Sequence, residues 1–446
     1  MKYIQLTLIL LTFFFTACKK EILPIENKSQ ASQSSCETCH YNFEMLKKVA
    51  SPEEPPTGGG GCGGDAPYIE PWNRVYVNQV EYNNSTHAKL TCVWCHDGND
   101  KTMDKNISHK NILKHPSENA LLKCASCHTK ETSNHLTSLH YGGFGQKHMV
   151  VSRYGANSFN ELPELLKNGY KQNCATCHAG CGSCHLNRPV AGGGGLLNGH
   201  KFVKKPDMLN NCIACHKTRV GHAYLGEAPQ STPDVHLSKL GNGHCLNCHS
   251  GDEMHGDGEL HTQRYQTKNK PTCEKCHSNM QNKNIYHSQH LNTFSCNTCH
   301  SQDYNNCGSC HIPTGGGHGG ARIGPYVGFK IGMNPLKETK PYKFAVLRRA
   351  LMAPDSWDLW GVPILQNFDS YPTFKYATPH NLAKWTTRTK VAVNKSCYDN
   401  CHIIKEGDSL RNKEIYLFKT DLQPWEINAD KEIVVDGKLP STWQIP

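Results

Sequence analysis

One short pattern recurs along this chain and limits what it can fold into: a cysteine, two arbitrary residues, a second cysteine and a histidine. Two copies stand almost back to back, beginning at Cys174 and Cys181. An eleventh copy has three residues between its cysteines. In chain order the eleven motifs are Cys36-Cys39-His40, Cys92-Cys95-His96, Cys124-Cys127-His128, Cys174-Cys177-His178, Cys181-Cys184-His185, Cys212-Cys215-His216, Cys245-Cys248-His249, Cys273-Cys276-His277, Cys296-Cys299-His300, Cys307-Cys310-His311 and Cys397-Cys401-His402.

The histidine decides between the uses of such cysteine pairs. Paired cysteines also occur in zinc sites, redox dithiols and disulfide frameworks. Histidine makes up only 27 of the 446 residues, yet it follows the second cysteine every time. Covalent haem attachment requires that neighbour, because one short loop must offer two sulfurs to the porphyrin edge and an imidazole to its face. The motifs therefore predict about eleven haem c groups, with thioether bonds to the cysteines and the motif histidines as proximal iron ligands. For the eleventh motif, a plain disulfide or dithiol stays open.

The remaining histidines are candidates for the second axial position of each iron. The 27 histidines less eleven in the motifs leave sixteen, which is more than a chain of ordinary composition carries. His244 directly precedes Cys245 and His318 lies in a glycine run, so both are weaker candidates. A second imidazole on each iron predicts low-spin haems of low potential. The candidate distal ligands are His87, His109, His115, His140, His200, His236, His255, His287, His290 and His380.

The amino terminus predicts export. Residues 1–17 begin with Lys2 and continue as an apolar run that is too short to cross a bilayer, as in a signal peptide. Small residues before Cys18 predict cleavage there and lipid attachment to Cys18, with simple secretion as the alternative. Residues 18–35 are polar and predict a flexible tether. We therefore expect an outer-membrane lipoprotein that faces the periplasm or the cell surface and is held by its N-terminal lipid.

Motif density predicts the domain organisation and the fold class. Residues 36–91 carry the first motif and a glycine-rich loop with the odd Cys62, residues 92–320 carry nine motifs, and residues 321–446 form a C-terminal cap with the eleventh. Nine motifs in the central segment leave no room for conventional layers, so porphyrins must supply the core. We predict mostly irregular coil with short α-helices wrapped around a closely packed haem array, and a small, partly β C-terminal region.

The sequence also predicts one helix and two strands. Leu162, Leu165 and Leu166 have helical spacing, and Gly169 is expected to end that helix. The runs at 415–418 and 433–435 are expected to form strands.

The net charge of +10 would suit nucleic acid. However, haem propionates would neutralise most of it, so nucleic-acid binding is not expected.

These motifs resemble those of bacterial multihaem c-type cytochromes, and the resemblance extends from residue 36 to residue 402. It implies a carrier that passes single electrons along closely spaced haems in periplasmic or extracellular electron transfer, with redox proteins or extracellular acceptors as partners. The class also contains enzymes that act on small nitrogen or sulfur oxyanions at one open haem, and proteins that polymerise into haem filaments. Those enzymes generally depart from the rule at one haem, often with a lysine in the motif, and no such variant occurs in this chain. An electron carrier without a dedicated substrate site is therefore expected, with the enzyme and the homo-oligomeric filament as alternatives.

Overall fold

The structure is a computed structural model that describes residues 33–53, 67–227, 231–241, 243–303, 330–350 and 352–445. The predicted signal peptide, the lipidation site Cys18, most of the tether, Cys62, the whole tenth motif and His318 lie outside the described residues. Within the described ranges, no helix is long and apolar enough to span a membrane.

Short helices dominate the chain up to residue 303. The α-helices are Ser35–His40, Phe43–Val49, Pro71–Val75, Gln79–Asn83, Cys92–His96, Lys105–Ser108, Ala120–Lys123, Thr129–His135, Leu139–Gly142, Phe144–Tyr154, Glu164–Asn173, Cys181–His185, Ala214–His216, His222–Leu225, Val235–Lys239, Gly251–His255, Ile285–His290, Cys296–His300 and Ile427–Asp430. Two π-helical segments, Met208–Ile213 and Lys217–Gly221, adjoin the helix Ala214–His216, and the first of them contains Cys212 of the sixth motif. Short 3-10 turns are Thr86–Lys89, Pro116–Asn119, Phe159–Glu161, Ala175–Cys177, Val190–Gly192, Cys245–Asn247, Arg264–Gln266, Cys273–Lys275, Met280–Asn282, Asp358–Trp360, Phe368–Ser370, Cys397–Asn400, Lys413–Ile415, Lys419–Asp421 and Ser441–Trp443.

Most described motifs are themselves one turn of helix. The second, fifth and ninth form the helices Cys92–His96, Cys181–His185 and Cys296–His300. A residue before the motif often caps this turn: the Thr91 hydroxyl accepts from the Trp94 backbone N–H. Such caps satisfy backbone donors that a single turn leaves unpaired. Both cysteines and the histidine are thereby presented from one compact turn.

The C-terminal region contains two small sheets. The first is antiparallel in the order β1 (Lys330–Met333), β2 (Phe344–Arg349) and β3 (Phe374–Tyr376). In the second, β4 (Ile403–Glu406) pairs antiparallel with β5 (Ser409–Arg411) and parallel with β6 (Gln444–Ile445). The predicted fold class is confirmed: short helices and coil are followed by a small, mostly antiparallel C-terminal region.

Apolar side chains pack mainly around this C-terminal region. One cluster joins the helices Phe144–Tyr154 and Glu164–Asn173 to the segment that contains Trp357 and Trp360. A second packs Phe294, which precedes the ninth motif, against Ile331, Phe344 and Tyr416. The C-terminal sheet is therefore attached directly to the motif-bearing part of the chain.

The prediction that Gly169 ends a helix is wrong. The helix runs from Glu164 to Asn173, Leu162 precedes it, and Gly169 lies in its interior. A Cβ at position 169 would overlap the ring of Trp360. Glycine is therefore needed for close packing rather than for termination.

The predicted strands at 415–418 and 433–435 are also wrong. Both segments lie beside the first sheet and are buried, but they join it through single backbone contacts. Leu417 N–H donates to the Ile331 carbonyl, and Met333 N–H donates to the Ile433 carbonyl. The two segments are joined to each other by the Val435 N–H, which donates to the Leu417 carbonyl. Their β-branched and aromatic residues indicate burial here rather than a regular ladder.

A buried carboxyl group in this region makes stability depend on pH. The single proton of the Thr373 hydroxyl lies between Glu426 Oε1 at 2.8 Å and Asp430 Oδ2 at 2.6 Å. Burial raises the pKa of Asp430 to about 6. Because this pKa is raised in the folded chain, protonated Asp430 contributes stability that is full below about pH 4 and is lost as pH rises through about 6.

We expect Asp430→Asn to be more stable than the wild type at pH 8, by on the order of 1–3 kcal/mol, because the amide is always neutral. The gain should shrink to near zero at about pH 4. Urea unfolding of both proteins across this pH range measures the difference. Asp408→Asn, which changes an exposed carboxylate, is the control. A gain at Asp430 that does not vary with pH would contradict the explanation.

Candidate haem-binding site

A single large cavity connects the motifs. Its volume is about 4680 Å³, and at least one cysteine and the histidine of every described motif line it. None of the twenty described motif cysteines, which include Cys397 and Cys401, forms a disulfide bond with another described cysteine. The motifs therefore present sulfur and imidazole to one shared space.

Imidazole pairs cross this cavity. Nine of the ten described motif histidines face a histidine from outside the motifs, at ring-centre distances between 6.1 and 6.3 Å. The pairs are His40 with His109, His96 with His200, His128 with His87, His185 with His255, His216 with His140, His249 with His380, His277 with His236, His300 with His287 and His402 with His290.

This recurring distance fits one metal ion between each pair. A metal–imidazole bond is about 2 Å long, so two nitrogens on opposite sides of one ion stand about 4 Å apart. Roughly 1 Å more from each nitrogen to its ring centre gives about 6 Å. Aromatic rings in direct contact have centres anywhere between about 4.5 and 7 Å apart, so the narrow spread of the nine distances, rather than their size, indicates a shared ligand. The residues at these nine motifs thus fit a haem iron with two axial histidines.

Hydrogen bonds at Nδ1 orient many of these rings. In several motif histidines, Nδ1 is hydrogen-bonded to a backbone carbonyl oxygen. The distance is 3.0 Å from His96 Nδ1 to the Leu113 carbonyl and 2.7 Å from His185 Nδ1 to the Val203 carbonyl. A ring whose Nδ1–H is donated carries its lone pair on Nε2, the nitrogen available to a metal. The other Nδ1 contacts of this kind join His40 to Val75, His300 to Ala383, His290 to Tyr286 and His380 to Thr378.

Two carboxylates serve the same purpose and were not predicted from the sequence. Asp234 accepts from His236 Nδ1 at 2.8 Å, and Glu253 accepts from His249 Nδ1 at 2.9 Å. A carboxylate on Nδ1 makes the imidazole a stronger ligand. The signal was present in the local spacing, because Asp234 lies two residues before its histidine and Glu253 lies four residues after.

Burial keeps several of the imidazoles neutral. It lowers the pKa of His140, His200 and His380 to about 4 each. A neutral ring retains the lone pair that a metal requires. These three side chains therefore suit ligation across the physiological pH range.

The other histidines are held differently. Of the ten candidate distal ligands, only His115 is not paired in this way with a motif histidine of the described residues; it lies near His96. His244 is bonded at both nitrogens, to the Pro206 carbonyl and to the Leu246 N–H. His261 contacts the Asp257 carboxylate at 3.0 Å, and His222 lies 3.5 Å from Glu227.

The fourth motif is the exception among the described motifs. His178 Nε2 and the Tyr170 hydroxyl are hydrogen-bonded at 3.0 Å, and no second imidazole of the described chain stands opposite. Burial raises the pKa of Tyr170, so its hydroxyl keeps its proton.

The thiols of neighbouring motifs lie close together. Thiols of motifs one and two, four and six, six and seven, and eight and nine are within hydrogen-bonding reach of each other. Thiols of motifs two and three, three and five, five and six, seven and eight, and nine and eleven are near enough to interact electrostatically. The described motifs therefore adjoin in the order one, two, three, five, six, seven, eight, nine and eleven, with motif four beside motif six.

Comparisons with known proteins add little. No protein-family model matches the chain, and no curated protein matches it. Among solved structures, an octahaem cytochrome c from Shewanella oneidensis is similar at 18% sequence identity and a TM-score of 0.29. That match covers 49% of this chain and 62% of the other, so the chain spans less than two thirds of the structure that it matches. A likeness of this size carries no inference about this chain.

Proposed function

We propose that the chain is a multihaem c-type cytochrome that carries single electrons along closely spaced haems. The observation that carries this proposal is the set of nine imidazole pairs, each formed by the histidine of an attachment motif and a histidine from elsewhere in the chain. When bound, haem supplies the reversible one-electron chemistry of its iron.

The protein residues have three tasks in this proposal. Motif cysteines anchor the porphyrin edge, and the paired histidines close both axial positions of each iron, which favours electron transfer over ligand chemistry. Asp234, Glu253 and backbone carbonyls hold the rings at Nδ1. Rings that are fixed in this way need little rearrangement when the charge on the metal changes.

The order of the described motifs supports conduction along one path. A series of neighbouring thiols leads from the first motif, near the amino terminus, to the eleventh in the C-terminal region. Electrons that enter at either end would pass along this series. The proposed setting is an outer-membrane lipoprotein anchored at Cys18, with redox proteins or extracellular acceptors at the exposed ends, and self-assembly through the end motifs as a further option.

The test is a haem count combined with low-temperature EPR of the oxidised holoprotein. We expect about eleven covalent haems per chain and at least nine that are low-spin, because nine motifs pair two imidazoles. Reduction should extend over a broad range of low potentials. Fewer than nine haems, or mainly high-spin iron in a fully loaded protein, would rule the proposal out.

A further inference from the structure

Motif eight is the most exposed of the described motifs. All of residues 273–277 are exposed, and no other described motif has this property along its whole length. The same residues line the large cavity. Ser278 and Asn279, which follow at once, are exposed and do not line the cavity, so solvent lies on the outer side of this turn. The attachment edge of a haem held here would therefore lie at the protein surface.

The chain around motif eight is positively charged. Residues 264–291 carry five basic residues and one glutamate, a difference of +4. The stretches at the two ends of the series are nearly balanced: residues 33–53 carry two lysines and three glutamates, and residues 395–414 carry four basic and four acidic residues. The excess of positive charge is therefore a property of motif eight and not of the end motifs. The five basic residues are Arg264, Lys268, Lys270, Lys275 and Lys283.

Several cations are held close together beside this motif. Lys270 Nζ donates to the Arg264 carbonyl at 2.8 Å, and Lys275 Nζ donates to the Lys270 carbonyl at 3.0 Å. Burial, together with the nearby charges of Lys340 and Arg264, lowers the pKa of Lys270 to about 8. Lys340 also interacts electrostatically with the Cys273 thiol. Like charges that are crowded in this way favour an anionic partner.

The outer side of this region has the composition of a protein interface. Lys268 and Lys283 are exposed and do not line the cavity. Ile285 is apolar, yet 62% of its surface is exposed. Its helix is held to the turn after motif eight, because Gln281 Nε2 donates to the Ser288 carbonyl at 2.9 Å. Exposed apolar surface within a charged rim is typical of sites where proteins associate.

We propose that motif eight is a lateral entry point for electrons, at which an acidic redox protein docks through its carboxylates. This inference rests on the proposed haem attachment. Motif eight lies between motifs seven and nine in the series and not at an end. One electron from the reduced cofactor of the partner would convert one ferric haem to the ferrous form. That electron would then pass along the series in either direction.

The test is stopped-flow reduction of the oxidised holoprotein by photoreduced flavodoxin, a small acidic redox protein that serves as the probe. Docking by charge predicts a second-order rate constant that falls by about tenfold between about 10 mM and about 300 mM salt. Lys268→Glu combined with Lys283→Glu should lower the rate constant by about tenfold at low salt. The matched control is Lys47→Glu combined with Lys48→Glu, which makes the same change of charge on an exposed helix beside motif one. It should alter the rate constant by no more than about twofold.

Reduction by photoreduced lumiflavin separates docking from conduction. This small molecule needs no docking surface, so it should reduce the wild type and both double variants at the same rate. A parallel fall with lumiflavin would mean that the lysines affect conduction rather than docking, which overturns the inference. A rate constant that is independent of salt, or a control variant that is slowed as much as the motif-eight variant, would also overturn it. A holoprotein that lacks haems would instead count against the proposed function.

Discussion

Replacing His380 by alanine should create one new high-spin haem in the oxidised protein. His380 faces His249 at 6.3 Å, its Nδ1 contacts the Thr378 carbonyl at 2.9 Å, and burial lowers its pKa to about 4. It is thus a neutral, oriented imidazole whose removal leaves the second axial position of motif seven empty. EPR should gain one haem equivalent of high-spin signal, and the reduced protein should bind carbon monoxide at one additional site.

The matched control is His261→Ala. His261 contacts the Asp257 carboxylate rather than a motif histidine, so its removal should leave all spin states unchanged. His380→Met offers a rescue, because a thioether restores a low-spin iron at a higher potential. If His380→Ala keeps every haem and still shows the wild-type spectrum, His380 is not an iron ligand and the pairing argument fails.

Much of the candidate site could be predicted from residue type alone. The attachment motifs can be recognised from the spacing of their cysteines and histidine. Nine of the ten histidines proposed as second ligands stand opposite a motif histidine. The partners themselves could not be predicted, because they depend on how distant segments pack. His290 lies just before the ninth motif but faces His402 of the eleventh. His287, one turn earlier in the same helix, faces His300 of the ninth motif itself.

The errors share a physical cause. Gly169 was expected to end a helix, yet it allows Trp360 to pack against one. Residues 415–418 have strand composition but are buried beside a sheet without joining it as a strand. In both cases tertiary packing overrides the local preference.

Replacing Arg349 by methionine should strongly destabilise the C-terminal region. Arg349 donates from Nε to Glu426 Oε1 at 2.9 Å and from its terminal nitrogen to Oε2. Both side chains are buried, Glu426 completely. The methionine variant would leave a carboxylate in the interior with only the Thr373 hydroxyl and the Gln423 N–H as partners. We expect the free energy of unfolding to fall by about 3–5 kcal/mol, measured by urea unfolding with tryptophan fluorescence.

The control is a more exposed ion pair in the helix Glu164–Asn173. Lys167→Ala removes the contact between Lys167 and Glu164, whose carboxylate is mostly exposed, and should cost no more than about 1 kcal/mol. The double variant Arg349→Met with Glu426→Gln should recover part of the loss, because the buried group is then neutral. Equal effects of Arg349→Met and Lys167→Ala would mean that the buried pair does not hold β2 to the segment that contains Glu426. The attachment of the sheet would then rest on apolar packing around Phe344 and Phe374 alone.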